Sequence, residues 1–272
     1  LLACPCVVGI SGRAVILKFI ELPPDDPRTL RQVTDMEMRK FRELTSEELV
    51  FDTMPLRAEG KVRRACLVVA RPEALDPVLR TPTEAGLTIA DVTPVPVALF
   101  NALAATSLET GVPTLCVDLG YRGTEVAVGD RSGLHFLRQF EIGIATFSEV
   151  LARLRGISVA QAEEQISAGE VNLAELSPSE AVDAWIAELS ATLGLYRERF
   201  PQAPDVQRLV LVGGGATLAG LAAHAAERLG LQAREPRGLP VPQGSALTPG
   251  QFAVAAGLAL RGVQGDTTPV SL

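Results

Sequence analysis

The sequence predicts an α/β fold, and three observations carry that reading. Strand-like apolar runs alternate with segments of helical spacing along most of the chain. Three strand-like runs follow one another between residues 113 and 143, separated by short turns. At LVLVGGGATLAGL, residues 209–221, four apolar residues run straight into three glycines and then a small-residue helical pattern. Glycine has no Cβ, so it accepts positive φ and lets another group come close to the backbone. Amide groups at a helix start favour anions, which makes a nucleotide the usual visitor at such a corner. A tight turn between strand and helix explains the glycines equally well when they are taken alone.

The elements follow in order. Residues 7–22 read as two strands around Ser11-Gly12-Arg13, and the prolines at 23, 24 and 27 break the run. Residues 28–44 place Leu30, Val33, Met36, Met38 and Phe41 among charges, an amphipathic helix. Residues 49–56 and 64–72 read as strands. Residues 72–87 read as a helix interrupted near Pro82 and stopped at Gly86, and 88–103 as a strand, a proline-bounded turn and a helix. The three hairpin strands come next, with turns at 120–123 and 129–133. Residues 146–155 put Phe147, Val150, Leu151 and Leu154 on one helix face. Ser158 and Gln161 form a capping box, and Gly169 can end that helix. Ser177-Pro178-Ser179-Glu180 supplies an N-cap, a proline at the first helical position and a glutamate at the third. The helix it opens reaches about Phe200 and carries Val182, Trp185, Ile186, Leu189 and Leu193. After the glycines a helix bearing Leu218, Leu221, Ala222, Ala225 and Leu229 runs to Gly230. A short strand, a Pro/Gly loop over 236–250, an apolar helix over 251–262 and a frayed tail from Thr267 complete the chain.

Composition excludes several functions. The 272 residues are 47% hydrophobic and carry a net charge of −7, so a basic footprint for nucleic acid is missing. Aromatics are 4%, too few for base-stacking platforms. No apolar run reaches the roughly 18–20 residues of a membrane span. Cys66 and Cys116 lie in apolar runs and read as buried hydrophobes, Cys4 and Cys6 are two apart, and His135 and His224 are not placed as zinc ligands. A reducing cytoplasmic setting is expected. The start has no initiator Met, and a processed or truncated chain is expected there.

Three features stand in one order: Asp118-Leu119-Gly120-Tyr121-Arg122-Gly123-Thr124 between two strands, Ala162-Glu163-Glu164 on a capped helix, and Gly213-Gly214-Gly215-Ala216-Thr217. With DVTPVPVALFNAL before them and AVAAGLAL after, this set resembles the FtsA/PilM branch of the actin-like ATPase superfamily over about residues 7–262. The resemblance implies an actin-like (ribonuclease H-like) two-lobe fold with an inserted small α+β subdomain and with the first strand hairpin missing. Residues 1–91 would hold the inserted subdomain and the strands before it, 92–112 and 250–272 the rest of the first lobe, and 113–249 the second lobe, with a helical subdomain at about 157–204. VVGISGRAV lacks the aspartate of the family's first phosphate loop, and Gln165-Ile166-Ser167 stands where relatives carry a lysine.

The function implied is that of a cytoplasmic assembly scaffold of a type IV pilus or related secretion complex. It would be tied to the inner membrane through partners, bind the N-terminal segment of a PilN-like inner-membrane protein, and hold ATP and Mg²⁺. Other pilus assembly proteins are further expected partners; nucleic acid is not one. Asp118 would hold Mg²⁺ through water, Gly120, Gly123 and Thr124 would face phosphates, Glu163 the ribose, and Gly213, Gly214 and Gly215 the adenine and α-phosphate. Val15, Leu17, Phe19 and Phe41 are candidates for the partner groove, and each also reads as plain core. No residue stands out as a base, so a binding switch, at most a weak ATPase, is expected. Two alternatives stay open: a scaffold of the GspL type that binds no nucleotide, and a sugar or acetate kinase-like enzyme.

Overall fold

The computed structural model describes residues 5–12, 15–22, 26, 28–45, 48–56, 61–176, 180–245 and 247–264. The expected cap at Ser177–Ser179, Cys4, Arg13 of the first turn, Pro23, Pro24 and Pro27, and the tail from Thr267 lie outside the described residues.

Two small sheets come first. β1 (Pro5–Ile10) and β5 (Thr88–Pro94) form a parallel pair. β2 (Val15–Leu22), β3 (Val50–Pro55) and β4 (Arg63–Ala70) form an antiparallel sheet in the order β2-β4-β3. α1 (Leu30–Leu44) lies on that sheet, started by a Thr29–Gln32 capping box. Ile20, Met38, Leu67 and Val69 form the core between them. α2 (Pro72–Glu84) passes through Pro77 and Pro82 without the break expected at Pro82. Much of that helix is exposed, where solvent can satisfy the carbonyls a proline leaves free. Gly86, at φ +75°, ends the turn as expected.

The second unit is a five-stranded sheet in the order β10-β9-β6-β7-β8. β6 (Thr114–Leu119), β7 (Thr124–Asp130) and β8 (Gly133–Phe140) are the three antiparallel strands read from the sequence. β9 (Arg208–Val212) and β10 (Gln232–Arg234) add to them in parallel. Strand residues alternate between faces, and both faces are covered. Leu115, Val117, Leu119, Val126 and Val128 pack with α4 (Ile144–Arg155), α5 (Val159–Ser167), α6 (Leu173–Leu176), α7 (Glu180–Arg199) and α8 (Leu221–Leu229). Cys116, Ala127, Leu137, Val210 and Val212 face the first lobe, with α3 (Val95–Thr106) and α9 (Ala253–Gln264). Arg261 pairs with Asp91, tying α9 to β5.

Two expectations need correction. Leu154 is 61% exposed and does not share the buried face of Phe147 and Leu151. The helix after the glycines does not start at once: a 3-10 turn covers Gly214–Thr217, and α8 begins only at Leu221. Cys66 and Cys116 are buried as expected, and burial pushes both thiols up, Cys66 to about 12.

Candidate functional site

The hairpin register builds the site. Asp118 on β6 stands opposite Glu125 on β7, and Glu125 stands opposite Gln139 on β8. Asp118 follows Val117 and precedes Leu119, both on the helix-covered face, so period two sends Asp118 to the first-lobe face. Glu125 and Gln139 lie two residues from Ala127 and Leu137, which share that face. The three polar residues therefore form one row at the end of the sheet, against the first lobe.

A cleft of about 1010 Å³ opens over this row. Asp118, Glu125 and Gln139 line it, with Gly120–Gly123 on one side and Ser11, Gly12, Val15, Ile16 and Val95 on the other. Gln139 clasps the two sides together. Its Nε2 donates to the Gly12 carbonyl at 2.7 Å and the Val15 carbonyl at 2.8 Å, and its Oε1 accepts from the Gly12 amide at 3.2 Å. Burial lifts the Asp118 carboxyl to about 6. Glu125 is only 8% exposed; burial, then the nearby Asp118 charge, lifts it to about 8, against a lowering contact from the Gly12 amide. Among the described residues Glu125 Oε2 has no hydrogen-bond partner.

The glycine corner and α5 lie beside the cleft. Gly213 has φ +85°, and a Cβ there would sit 2.0 Å from Asp118 Oδ1, so only glycine fits. Tyr121 on the β6–β7 turn donates to Glu163 on α5 at 2.6 Å, and that carboxylate raises the tyrosine hydroxyl's pKa. Thr217 Oγ1 lies 2.7 Å from the Gly214 carbonyl and 3.0 Å from the Ile166 carbonyl, joining the glycine turn to the end of α5. The aspartate hairpin, the acidic helix and the triple glycine thus meet in one place. Asp118, Gly120 and Gly123 line the cleft itself; Glu163 and Gly213–Gly215 flank it. A Cβ on Gly214 would meet nothing within 4 Å, so the space in front of it is open.

Two residues are committed elsewhere. The Thr124 hydroxyl is fully buried; it donates to the Ile142 carbonyl at 2.6 Å and accepts from Trp185 Nε1 at 3.0 Å. It does not face the cleft, contrary to its expected phosphate role. The Gly120 amide donates to the Gly123 carbonyl at 3.0 Å, so its hydrogen bond is spent within the loop. The first amides of α4 are used too, Ile144 to the Gly120 carbonyl at 2.9 Å and Ala145 to the Tyr121 carbonyl at 2.9 Å. Gly143 permits that packing, since a Cβ there would lie 2.4 Å from the Tyr121 carbonyl oxygen. Sequence reasoning missed Glu125 and Gln139. The signal for Glu125 was present: a charge inside TEVAVGD, the middle strand of three, directly across a four-residue turn from Asp118.

The partner-groove candidates separate. Val15, Leu17 and Phe19 lie on one face of β2, turned to the body of the protein. Val15 is buried, Leu17 packs on the first-lobe core, and Phe19 stacks on Phe136 with centroids 4.7 Å apart. Val15 belongs to the core, and Leu17 and Phe19 pack partly buried against it, so none of the three lines the groove that holds Phe41. Phe41 differs. It lines an apolar groove of about 290 Å³ with Ile16, Leu44, Leu49 and Val69, between α1 and the sheet. Ile16 is 50% and Leu44 84% exposed. Among the described residues no group of three or more His, Cys, Asp or Glu could hold a metal, and no helix is long and apolar enough to cross a membrane.

No protein-family model matches the chain, and no curated protein does. Among solved structures, a chain of a PilM-PilN type IV pilus biogenesis complex matches 94% of this chain over 79% of its own, at 27% identity and a TM-score of 0.73. This is a PilM-like chain with the actin-like fold. Two further solved structures align less closely. The ethanolamine utilization protein EutJ from Carboxydothermus hydrogenoformans covers 69% of the PilM-like chain and 60% of its own, at 21% identity and a TM-score of 0.47. A Bacteroides thetaiotaomicron protein with actin-like ATPase fold and unknown function covers 93% and 72%, at 9% identity and 0.44.

Proposed function

We propose that the PilM-like chain is a cytoplasmic assembly scaffold of a type IV pilus machine, held at the inner membrane by the N-terminal segment of a PilN-like partner. The observation that supports this most is the near full-length likeness to PilM in a complex with PilN. The groove between α1 and the small sheet suits such a segment. Its exposed apolar residues can bury a peptide's side chains, and each fully covered leucine-sized group contributes roughly 1.5–3 kcal/mol. Leu44 is the cleanest handle because it supports little of the chain's own core. A labelled peptide of the partner's N-terminal segment should bind the chain in fluorescence anisotropy, and Leu44→Gln should weaken it about tenfold or more. Undiminished binding by that variant removes the groove from the proposal; absence of binding by the wild type removes the function.

We further propose that the cleft takes ATP with a divalent cation, as a binding switch. The residues fit the cation: Asp118 and Glu125 are hard oxygen donors, and one Glu125 oxygen is unpartnered. When bound, the cation would supply positive charge between the phosphates and the carboxylates of Asp118 and Glu125. Asp118 would orient water on the cation, Arg122 at the rim would meet phosphate oxygens, Glu163 would accept from ribose hydroxyls, and Gly214 would leave room for the base, while Gly213 and Gly215 pack against Asp118 and Leu119. A scaffold that binds no nucleotide, of the GspL type, is the second reading, and the internal use of the Thr124 hydroxyl and the Gly120 amide favours it. Calorimetric titration with ATP and Mg²⁺ separates them: heat of binding that Asp118→Ala abolishes supports the switch, and none supports the pure scaffold.

A further inference from the structure

The second lobe carries a further concavity that shares no lining residue with the cleft or the α1 groove. β10 is the last strand of its sheet, so no strand among the described residues pairs its outer side. All of its residues are exposed. The register sets Gln232 beside Arg208 and Arg234 beside Val210, so these four share one face, the face that Val210 turns to the first lobe. α3 lies on that face over β6, β7 and β8 and ends at Thr106. Beyond its end a pocket of about 430 Å³ opens. Thr114 and Val210 are its buried floor, and Arg208, Arg234 and Arg237 stand around it with Glu109 and Glu235. Cations outnumber carboxylates here, on a chain whose net charge is −7. Arg208 is spent on Glu109 at 2.7 Å, and that contact first, with Arg234 and Arg237 farther off, holds the Glu109 carboxyl below its ordinary range. Among the described residues neither Arg234 nor Arg237 forms an ion pair; the Arg234 guanidinium donates to Gln232 Oε1 at 2.9 Å. The backbone is open too. The Gln232 amide donates to the Gln207 carbonyl at 2.9 Å and so faces β9. One residue on, the Ala233 amide and carbonyl turn outward, the unpaired row that an edge strand offers another chain.

We propose that β10 and this pocket take an extended acidic segment of a partner protein, added to the sheet as a further strand. The outward amide and carbonyl of Ala233 supply the main-chain pairing, and every second side chain of the incoming strand falls on the pocket face. There its carboxylates meet Arg234 and Arg237, whose planar forks each match both oxygens of a carboxylate. The side chains between them fall on the opposite face, beside α8 and the partly buried Leu229 and Leu231, where apolar groups fit. The chemistry selected is therefore a segment that alternates acidic with apolar residues. The inference rests on neither the α1 groove nor the nucleotide reading of the cleft.

The test uses the whole chain and a labelled octapeptide that alternates glutamate with valine. Binding is expected in fluorescence anisotropy at low salt, with slowed hydrogen exchange at residues 232–235. Glutamine in place of the peptide's glutamates, or Arg234→Glu together with Arg237→Glu in the chain, should weaken binding about tenfold or more. Arg153→Glu on the exposed side of α4 should leave it unchanged. Ala233→Pro removes the outward amide and spares the pairing to β9, and should weaken binding about threefold or more. No wild-type binding at millimolar peptide, or wild-type affinity in the double variant or in Ala233→Pro, overturns the proposal. If the proline variant does not fold, the exchange map of the wild type decides, and protection centred away from residues 232–237 overturns it. Phosphatidylglycerol vesicles that sediment the wild type but not the double variant, with no peptide bound, would overturn it in favour of a lipid surface.

Discussion

The interlobe cleft and the α1 groove share a wall at Ile16 but are built on opposite principles. The cleft is made by register. A four-residue turn and two hairpin pairings set Asp118, Glu125 and Gln139 side by side, and burial makes the two carboxyls hard to ionise. The groove is made by leftover surface. One end of α1 and the even-numbered face of β2 present Ile16, Phe41 and Leu44 with nothing strained behind them. A site of the first kind costs the fold stability and recognises charge; a site of the second kind costs little and recognises apolar shape.

The largest expected effect breaks the cleft at its corner. Gly213→Ala forces a Cβ against the Asp118 carboxylate at positive φ, and should cost about 3 kcal/mol or more in urea unfolding. Next comes Glu125→Gln. The folded chain holds the Glu125 proton up to about 8, against 4.5 for the ordinary carboxyl. Native protein then binds more protons than unfolded chain, so the contribution to stability falls as pH rises from about 4.5 to about 8 and is level above. Asp118 adds the same sign between 3.8 and about 6. With chelator present, the wild type should lose on the order of 3 kcal/mol between about pH 5 and about pH 8, and the variant much less. Parallel pH curves would show that Glu125 is not the buried acid. Tyr121→Phe removes a hydrogen bond from an exposed hydroxyl to Glu163, a change of about 1 kcal/mol or less by thermal melting. Smallest of all, Leu44→Gln in the groove should leave stability within about 0.5 kcal/mol while still weakening the peptide. A large stability loss there would erase the contrast between the two regions.

Much of the cleft was legible because its signals are local. Three short strands with turn residues between them, a capping box at Ser158 and a glycine run after an apolar strand each specify geometry within about ten residues. Glu125 was passed over because alternation makes a polar strand residue look solvent-facing, and only the coverage of both sheet faces shows that it is not. The groove was misread for the same reason in reverse. Val15, Leu17 and Phe19 are apolar on one side of β2, but nothing within a single strand says which side the rest of the chain will cover. Phe136 and Phe200, more than a hundred residues away, settle it for Phe19. Leu154 and Pro82 misled through propensity that tertiary exposure overrides.

Hydrogen exchange of the whole chain, with and without the partner's N-terminal peptide, puts the scaffold role to its sharpest trial. Peptide binding should slow exchange along the C-terminal half of α1 and along β2, and leave the loop at 120–123 and the glycine turn at 213–217 unchanged. Protection confined to that loop and turn, with none on α1, would contradict the role assigned to the groove.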